Sequence, residues 1–228
     1  MINRINHWSS GIILVILIVI KPFAIVFGLY YLMNRNWKVL KTAFASGIVV
    51  LLITGLFFGF EIFRQFFISP PTSRIPESVH YEGVNKSLLA ALFRFQHNHT
   101  NVLDLPSVKP IFLVVSAVLL TLTLIASKKL LKYSQLLSFA IYIPFVLIIY
   151  PNTLTHYSIF IIPVILALYC EIEVFKKTAL GLLLFLFMYF AGSVNLFYMN
   201  IFTYLTLLIV AFKTQWNLNI LNIKHLNL

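Results

Sequence analysis

Residues 43–60 read AFASGIVVLLITGLFFGF, a run without a charged residue, and Glu61 closes it. A helix needs about 20 apolar residues to cross a bilayer core, and this run comes close to that length. The rest of the chain agrees. It is 61% hydrophobic and 10% charged, with a mean hydropathy of +0.95, whereas soluble domains carry roughly 25% charged residues. The 22 Phe and 11 Tyr suit lipid contact and interfacial belts. The expected fold is all-α: a polytopic transmembrane helical bundle forming one membrane domain over residues 1–228.

Working outward from 43–60, six further apolar segments qualify as spans. They are 11–33, 111–127, 133–150, 157–170, 178–194 and 197–212. The first is broken by Lys21-Pro22, because proline disfavours α geometry in the residue before it and removes a donor. It reads either as one kinked span or as two half-helices, with opposite placements of the N-terminus. It leads on to more apolar sequence rather than to a small-residue cleavage site, so it is a span and not a signal peptide.

Basic residues orient the bundle. Arg35, Lys38 and Lys41; Lys128, Lys129 and Lys132; Lys176 and Lys177; and Lys213 and Lys224 all fall on one side if the spans alternate. The intervening turns 151–156 and 192–196 carry no Lys or Arg. By the positive-inside rule the basic side is cytoplasmic. This predicts an integral, multi-pass protein of the plasma (inner) membrane with a cytoplasmic C-terminus. It also accounts for the net charge of +11. Cations at span ends are topology signals and contacts to anionic membrane lipids, so nucleic acid is excluded as a partner.

Against this background, residues 61–109 form a polar island on the extracytoplasmic side. The island holds Glu61, Glu77, Glu82 and Asp104, three of the histidines, and the phrase Asn85-Lys86-Ser87-Leu88-Leu89-Ala90-Ala91-Leu92-Phe93-Arg94. Leu88, Leu89, Leu92, Phe93 and Phe95 make an apolar stripe at helical spacing, which predicts a short amphipathic helix. Asn85 or Ser87 can cap it, and Ser87 and Arg94 share a face two turns apart. A helix N-terminus with an arginine nearby suits an anion.

Elsewhere, Lys21 sits deep in an apolar run, where a cation faces a cavity, aims at a lipid-linked phosphate, or snorkels. His156 and Tyr157 open the fifth span at the outer face, as hydrogen-bonding groups or as an interfacial aromatic pair. Glu61 is the carboxylate best placed for acid/base work, the alternative being a solvated helix end. His97 and His99, two apart with no second pair, do not make a metal site. Neither a metal nor an organic cofactor is expected. Cys170, the single cysteine, has no internal partner.

Taken in order, Lys21-Pro22 with Asn34-Arg35-Asn36-Trp37-Lys38, Gly59-Phe60-Glu61 with Phe66-Phe67, Asn85-Lys86-Ser87-Leu88 with Arg94, and Pro151 with His156-Tyr157 and Pro163 resemble glycosyltransferase family 87. This is a family of C-type (GT-C) membrane glycosyltransferases that includes polyprenyl-phosphomannose-dependent mannosyltransferases. The resemblance implies transfer of a hexose, mannose first among candidates, from a polyprenyl-phosphate donor to a glycan or glycolipid acceptor at the extracytoplasmic face. It implies an acidic residue as base on the acceptor hydroxyl, a role for which Glu61 is the candidate here with Glu77, Glu82 and Asp104 as alternatives, and it implies Lys21, Arg94 and His156 as phosphate contacts. Asn85, Ser87 and Tyr157 would shape the same outer mouth. Such enzymes carry their acid in a large outer loop after the first span, and residues 1–10 contain none. The chain therefore reads as the C-terminal portion of a longer or split enzyme, partnered by a missing N-terminal half. The competing readings are a membrane transporter or glycan-export component, and an inactive remnant.

Overall fold

The computed structural model describes residues 6–68, 85–100, 105–151, 153, 155–172 and 196–213. Their regular structure is helical, with no strand among the described residues. The chain divides into two compact units, Met1–Glu77 and Ser78–Leu228.

In the first unit, α1 (His7–Ile20) begins at Asn6, whose side chain accepts from the Trp8 amide, and ends at Lys21. Lys21 adopts extended geometry, φ −141° and ψ 99°, as the residue before a proline should. Its amide still closes on the Leu17 carbonyl at 2.8 Å. Pro22 then starts a single 3-10 turn, Pro22–Ile25, before α2 (Val26–Met33). The segment 11–33 is thus a broken helix. A reversal through Arg35, held at φ 52°, leads to Asn36, which caps α3 (Trp37–Phe58).

The α3 helix starts six residues before the run 43–60 and ends two residues inside it, because charged Lys38 and Lys41 are as compatible with a helix as the apolar residues they precede. At 22 residues it is about 33 Å long, enough to cross a bilayer. Leu56, Phe57 and Phe44 are 78%, 81% and 72% exposed. An apolar helix uncovered in this way is built to meet lipid, not to fill a soluble core. Gly59, at φ 80°, stops it, and α4 (Glu61–Ile68) follows. Where α1 and α3 meet, Gly11 lies against Thr42 so closely that a Cβ would come within 2.7 Å of Thr42 Cβ and 2.9 Å of the Ala43 amide nitrogen.

In the second unit, α5 (Leu88–Thr100) is the predicted amphipathic helix. Its Leu89 and Phe93 are buried against Val108, with Leu92 and Phe112 packed alongside. These contacts dock α5 on the first turns of α6 (Leu105–Leu130), a second helix long and apolar enough to cross a membrane. The predicted third span, 111–127, lies inside α6.

The predicted fourth span, 133–150, is two helices, α7 (Gln135–Ala140) and α8 (Tyr142–Ile149), parted at Ile141. Pro144 is the physical reason. It offers no N–H to the Ala140 carbonyl and its ring would crowd that oxygen, so the chain restarts with Pro144 in a first turn. Pro163 sits at the same position of α9 (Ile161–Glu171), which follows a 3-10 segment, Thr155–Phe160. The last described helix is α10 (Leu196–Lys213); the predicted span 178–194 lies outside the described residues.

The core of this unit centres on α8, where Tyr142, Pro144, Phe145, Val146, Leu147 and Ile148 are all buried. Hydroxyls tie its neighbours together. Ser127 of α6 and Ser138 of α7 lie Oγ to Oγ at 2.9 Å and each also donates to the other's carbonyl. The Tyr204 hydroxyl of α10 is 2.8 Å from Thr123 Oγ1 and 2.9 Å from the Leu119 carbonyl oxygen. Further along, Lys129 Nζ sits 3.9 Å above the Phe212 ring. Such bonds serve where burial of apolar surface alone gives helices little reason to associate.

Candidate functional site: the Asn85–Arg94 turn and the Pro151 loop

Two segments of the second unit are latched together. Ser87 is the N-cap of α5, its Oγ accepting from the Ala90 amide at 3.2 Å. The Asn85 side-chain oxygen accepts from the Ser87 amide at 3.1 Å, an Asx turn that fixes the approach to the helix. The other ends of both side chains point at one atom. Asn85 Nδ2 and Ser87 Oγ donate to the Pro151 carbonyl oxygen at 2.9 and 3.0 Å. Between them the Lys86 amide donates to the Thr153 carbonyl, 2.6 Å away, and Thr153 Oγ1 donates back to the Tyr150 carbonyl. Asn85, Ser87 and Thr153 are fully buried or nearly so. A proline carbonyl at the end of α8 has no helical partner, and this pair of donors satisfies it.

Arg94 completes the turn. Helical side chains lean toward the N-terminus, and its Nη1 reaches back to the Asn85 carbonyl at 3.0 Å. Partial burial pulls the guanidinium below its usual range, while Tyr198, on the second residue after Leu196 opens α10, acts to raise it. Lys86 is lowered too, first by burial and then by the Arg94 charge. The site therefore carries two neighbouring, partly desolvated cations on a turn held by five side-chain hydrogen bonds.

The other candidates fall in different places. Tyr157 is buried, its ring 6.5 Å from Tyr150 and 6.4 Å from Phe160, so its ring packs the loop that carries Pro151. His156 lies in the 3-10 segment beside it; its side chain is outside what the structure describes. Lys21 and Glu61 belong to the first unit. Lys21 is the hinge of the broken helix. Glu61 opens α4, is exposed, and pairs with Arg64 one turn on at 3.3 Å. Of the remaining island acids, Glu77, Glu82 and Asp104 lie outside the described residues.

Sequence reading named Asn85, Ser87 and Arg94 but not what they hold. Neither Lys86 nor Tyr198 was singled out as a ligand group. Lys86 was visible as a cation beside a cap, whereas Tyr198 is over a hundred residues from Arg94 and nothing local marks it.

Uncovered apolar helices and hydroxyl-tied helix interfaces define an all-helical membrane protein. The family model for glycosyltransferase family 87 matches residues 1–151, and the chain belongs to that family. The match includes the Asn85–Arg94 turn and ends at Pro151, the residue to which that turn is latched. No curated protein and no solved structure matches the chain.

Proposed function

We propose that this membrane glycosyltransferase transfers a hexose, with mannose the first to test, from a polyprenyl-phosphate donor to a glycan or glycolipid acceptor at the extracytoplasmic face. The observation that carries the reading is the pairing of Arg94 and Lys86. Two like charges, partly desolvated and held on one turn, suit a phosphate, which would accept hydrogen bonds from both and offset their mutual repulsion. In glycosyl transfer the phosphate is the leaving group, so cations fixed beside it stabilise charge that develops in the transition state. Asn85 and Ser87 act as positioning residues, since their polar atoms hold the turn. Tyr157 supports the opposing loop, and His156 and Lys21 are further phosphate contacts to be tested by substitution. Glu61 is the proposed base for the acceptor hydroxyl. Membership of a glycosyltransferase family makes transport the weaker reading.

The test is transfer of labelled hexose from polyprenyl-phosphate mannose by the purified full chain. Arg94→Ala should lower kcat/KM by about a hundredfold or more, the loss expected for one charge-stabilising donor. Glu61→Gln should lower kcat with little change in donor KM. Absence of transfer by the wild-type chain from any polyprenyl-phosphate hexose would overturn the reading.

A further inference from the structure

Asn200 of α10 is fully buried, and neither its Nδ2 nor its Oδ1 has a hydrogen-bond partner among the described residues. A carboxamide shut away in this state is costly, and more so inside a membrane bundle, where water is scarce. It belongs to the buried stripe of α10 formed with Thr203, Tyr204, Leu207 and Ala211. The other polar members of the stripe are satisfied: Thr203 donates to the Met199 carbonyl, and Tyr204 is locked to α6.

The register of that lock locates Asn200. Tyr204 meets Leu119 and Thr123, and Phe212 meets Lys129, so α6 and α10 run parallel. One turn nearer the N-termini, about 6 Å beyond Tyr204, Asn200 comes level with Ser116. The Ser116 Oγ is likewise buried without a partner among the described residues. Ser116 is four residues past Phe112, which packs under α5, and Asn200 is two residues past Tyr198, which acts on Arg94. Two unsatisfied polar side chains therefore lie on α6 and α10, the helices whose Phe112 and Tyr198 reach α5 and Arg94.

We infer that Asn200 and Ser116 form the sugar subsite of the donor, their carboxamide and hydroxyl pairing with hexose hydroxyls while the phosphate is held at Arg94; the inference rests on the donor reading above. A hexose presents donors and acceptors together, which suits a carboxamide that offers both. The subsite draws on α10, which lies beyond the matched residues 1–151.

The experiment measures thermal stability of the full chain in detergent with polyprenyl phosphate, with polyprenyl-phosphate mannose, and with neither. The wild-type chain should be stabilised by both lipids, and more by the mannosylated one. Asn200→Leu should melt higher than wild type without ligand, because an unpaired amide is gone. It should keep the shift from polyprenyl phosphate, lose the increment from the sugar, and raise donor KM by roughly tenfold, the order of one hydrogen bond. Should that variant not fold, Ser116→Ala must show the same loss of the sugar increment. An increment retained in both variants means a hydrated polar pocket only and overturns the subsite while leaving the donor reading intact. Equal shifts from the two lipids in the wild type do the same. No shift from either lipid overturns the donor reading and the subsite with it.

Discussion

The Asn85 side-chain nitrogen lies 2.9 Å from the carbonyl oxygen of Pro151, 66 residues further along the chain. This one bond joins the start of the amphipathic helix to the end of the central helix, and both partners are otherwise hard to satisfy. The amide is fully buried, and the carbonyl lies past the last turn of α8. Because Asn85 uses its oxygen to hold the Ser87 amide, the residue needs a donor at one end and an acceptor at the other.

Asn85→Asp should therefore be worse than Asn85→Ala. Aspartate keeps the acceptor but turns a second oxygen toward the Pro151 carbonyl. Alanine should cost about 1–3 kcal/mol through the groups left unpaired, and aspartate more, since a buried carboxylate facing a carbonyl adds repulsion. Chemical or thermal unfolding of the two variants decides the order. Equal stability of Asp and wild type would remove the latch from the account.

Close approach of α1 and α3 predicts opposite effects at two glycines. A methyl group on Gly11 meets Thr42 Cβ and the backbone nitrogen of Ala43, neither of which can swing aside. Gly11→Ala should destabilise the first unit by about 1–3 kcal/mol. Gly47 lies inside α3 with nothing within 4 Å of an added Cβ. There alanine should stabilise by roughly 0.5–1 kcal/mol, the helical cost of glycine. Melting curves showing both substitutions neutral would mean that the helices do not pack at Gly11.

In the second unit, Tyr204→Phe tests the hydroxyl tie between α6 and α10. Thr123 keeps a bond to the Leu119 carbonyl when the tyrosine oxygen is removed. No buried group is orphaned, so the loss should be small, about 0.6 kcal/mol, as for other interhelical bonds in membranes. Tyr204→Ala removes a large buried ring and should cost about 3–5 kcal/mol. A phenylalanine variant as damaged as the alanine one would mean the hydroxyl does more than tie two helices.

The helices were legible because lipid imposes its demands on composition: charge-free runs such as 43–60 and 111–127 can hardly be anything else. Punctuation was partly legible. Lys21-Pro22 announced a break, since the effect of proline on its predecessor is local. The parting at Ile141 was missed although Pro144 causes it, because a proline in the middle of an apolar run such as 133–150 marks a restart only if the chain bends there. The cap at Ser87 and the amphipathic helix behind it could be read from spacing. Their partner could not: a backbone carbonyl such as that of Pro151 has no side-chain signature. Asn200 was hidden for the same kind of reason, since an asparagine in an apolar run gains meaning only when its neighbours across the bundle are known.

Lys86 provides a pH signature of the cation pair. Burial and then Arg94 hold its pKa below the ordinary lysine value of 10.5. The folded chain thus binds this proton less tightly than the unfolded chain, so between the lowered value and 10.5 the unfolded state carries more protons and stability rises with pH. Below that window the charged lysine is a constant cost. Lys86→Met abolishes the cost, so the variant should melt higher than wild type at neutral pH, with the gap closing as pH climbs toward 10.5. Polyprenyl phosphate should reverse the ranking. An anion beside Lys86 favours its charged form, so the bound wild-type chain should melt above the bound variant and lose that advantage as the lysine deprotonates. Melting temperatures of both proteins across this range, with and without the lipid, check each half. A gap that stays constant with pH would show that Lys86 is an ordinary solvated lysine, and Arg94 would then be left without a second cation.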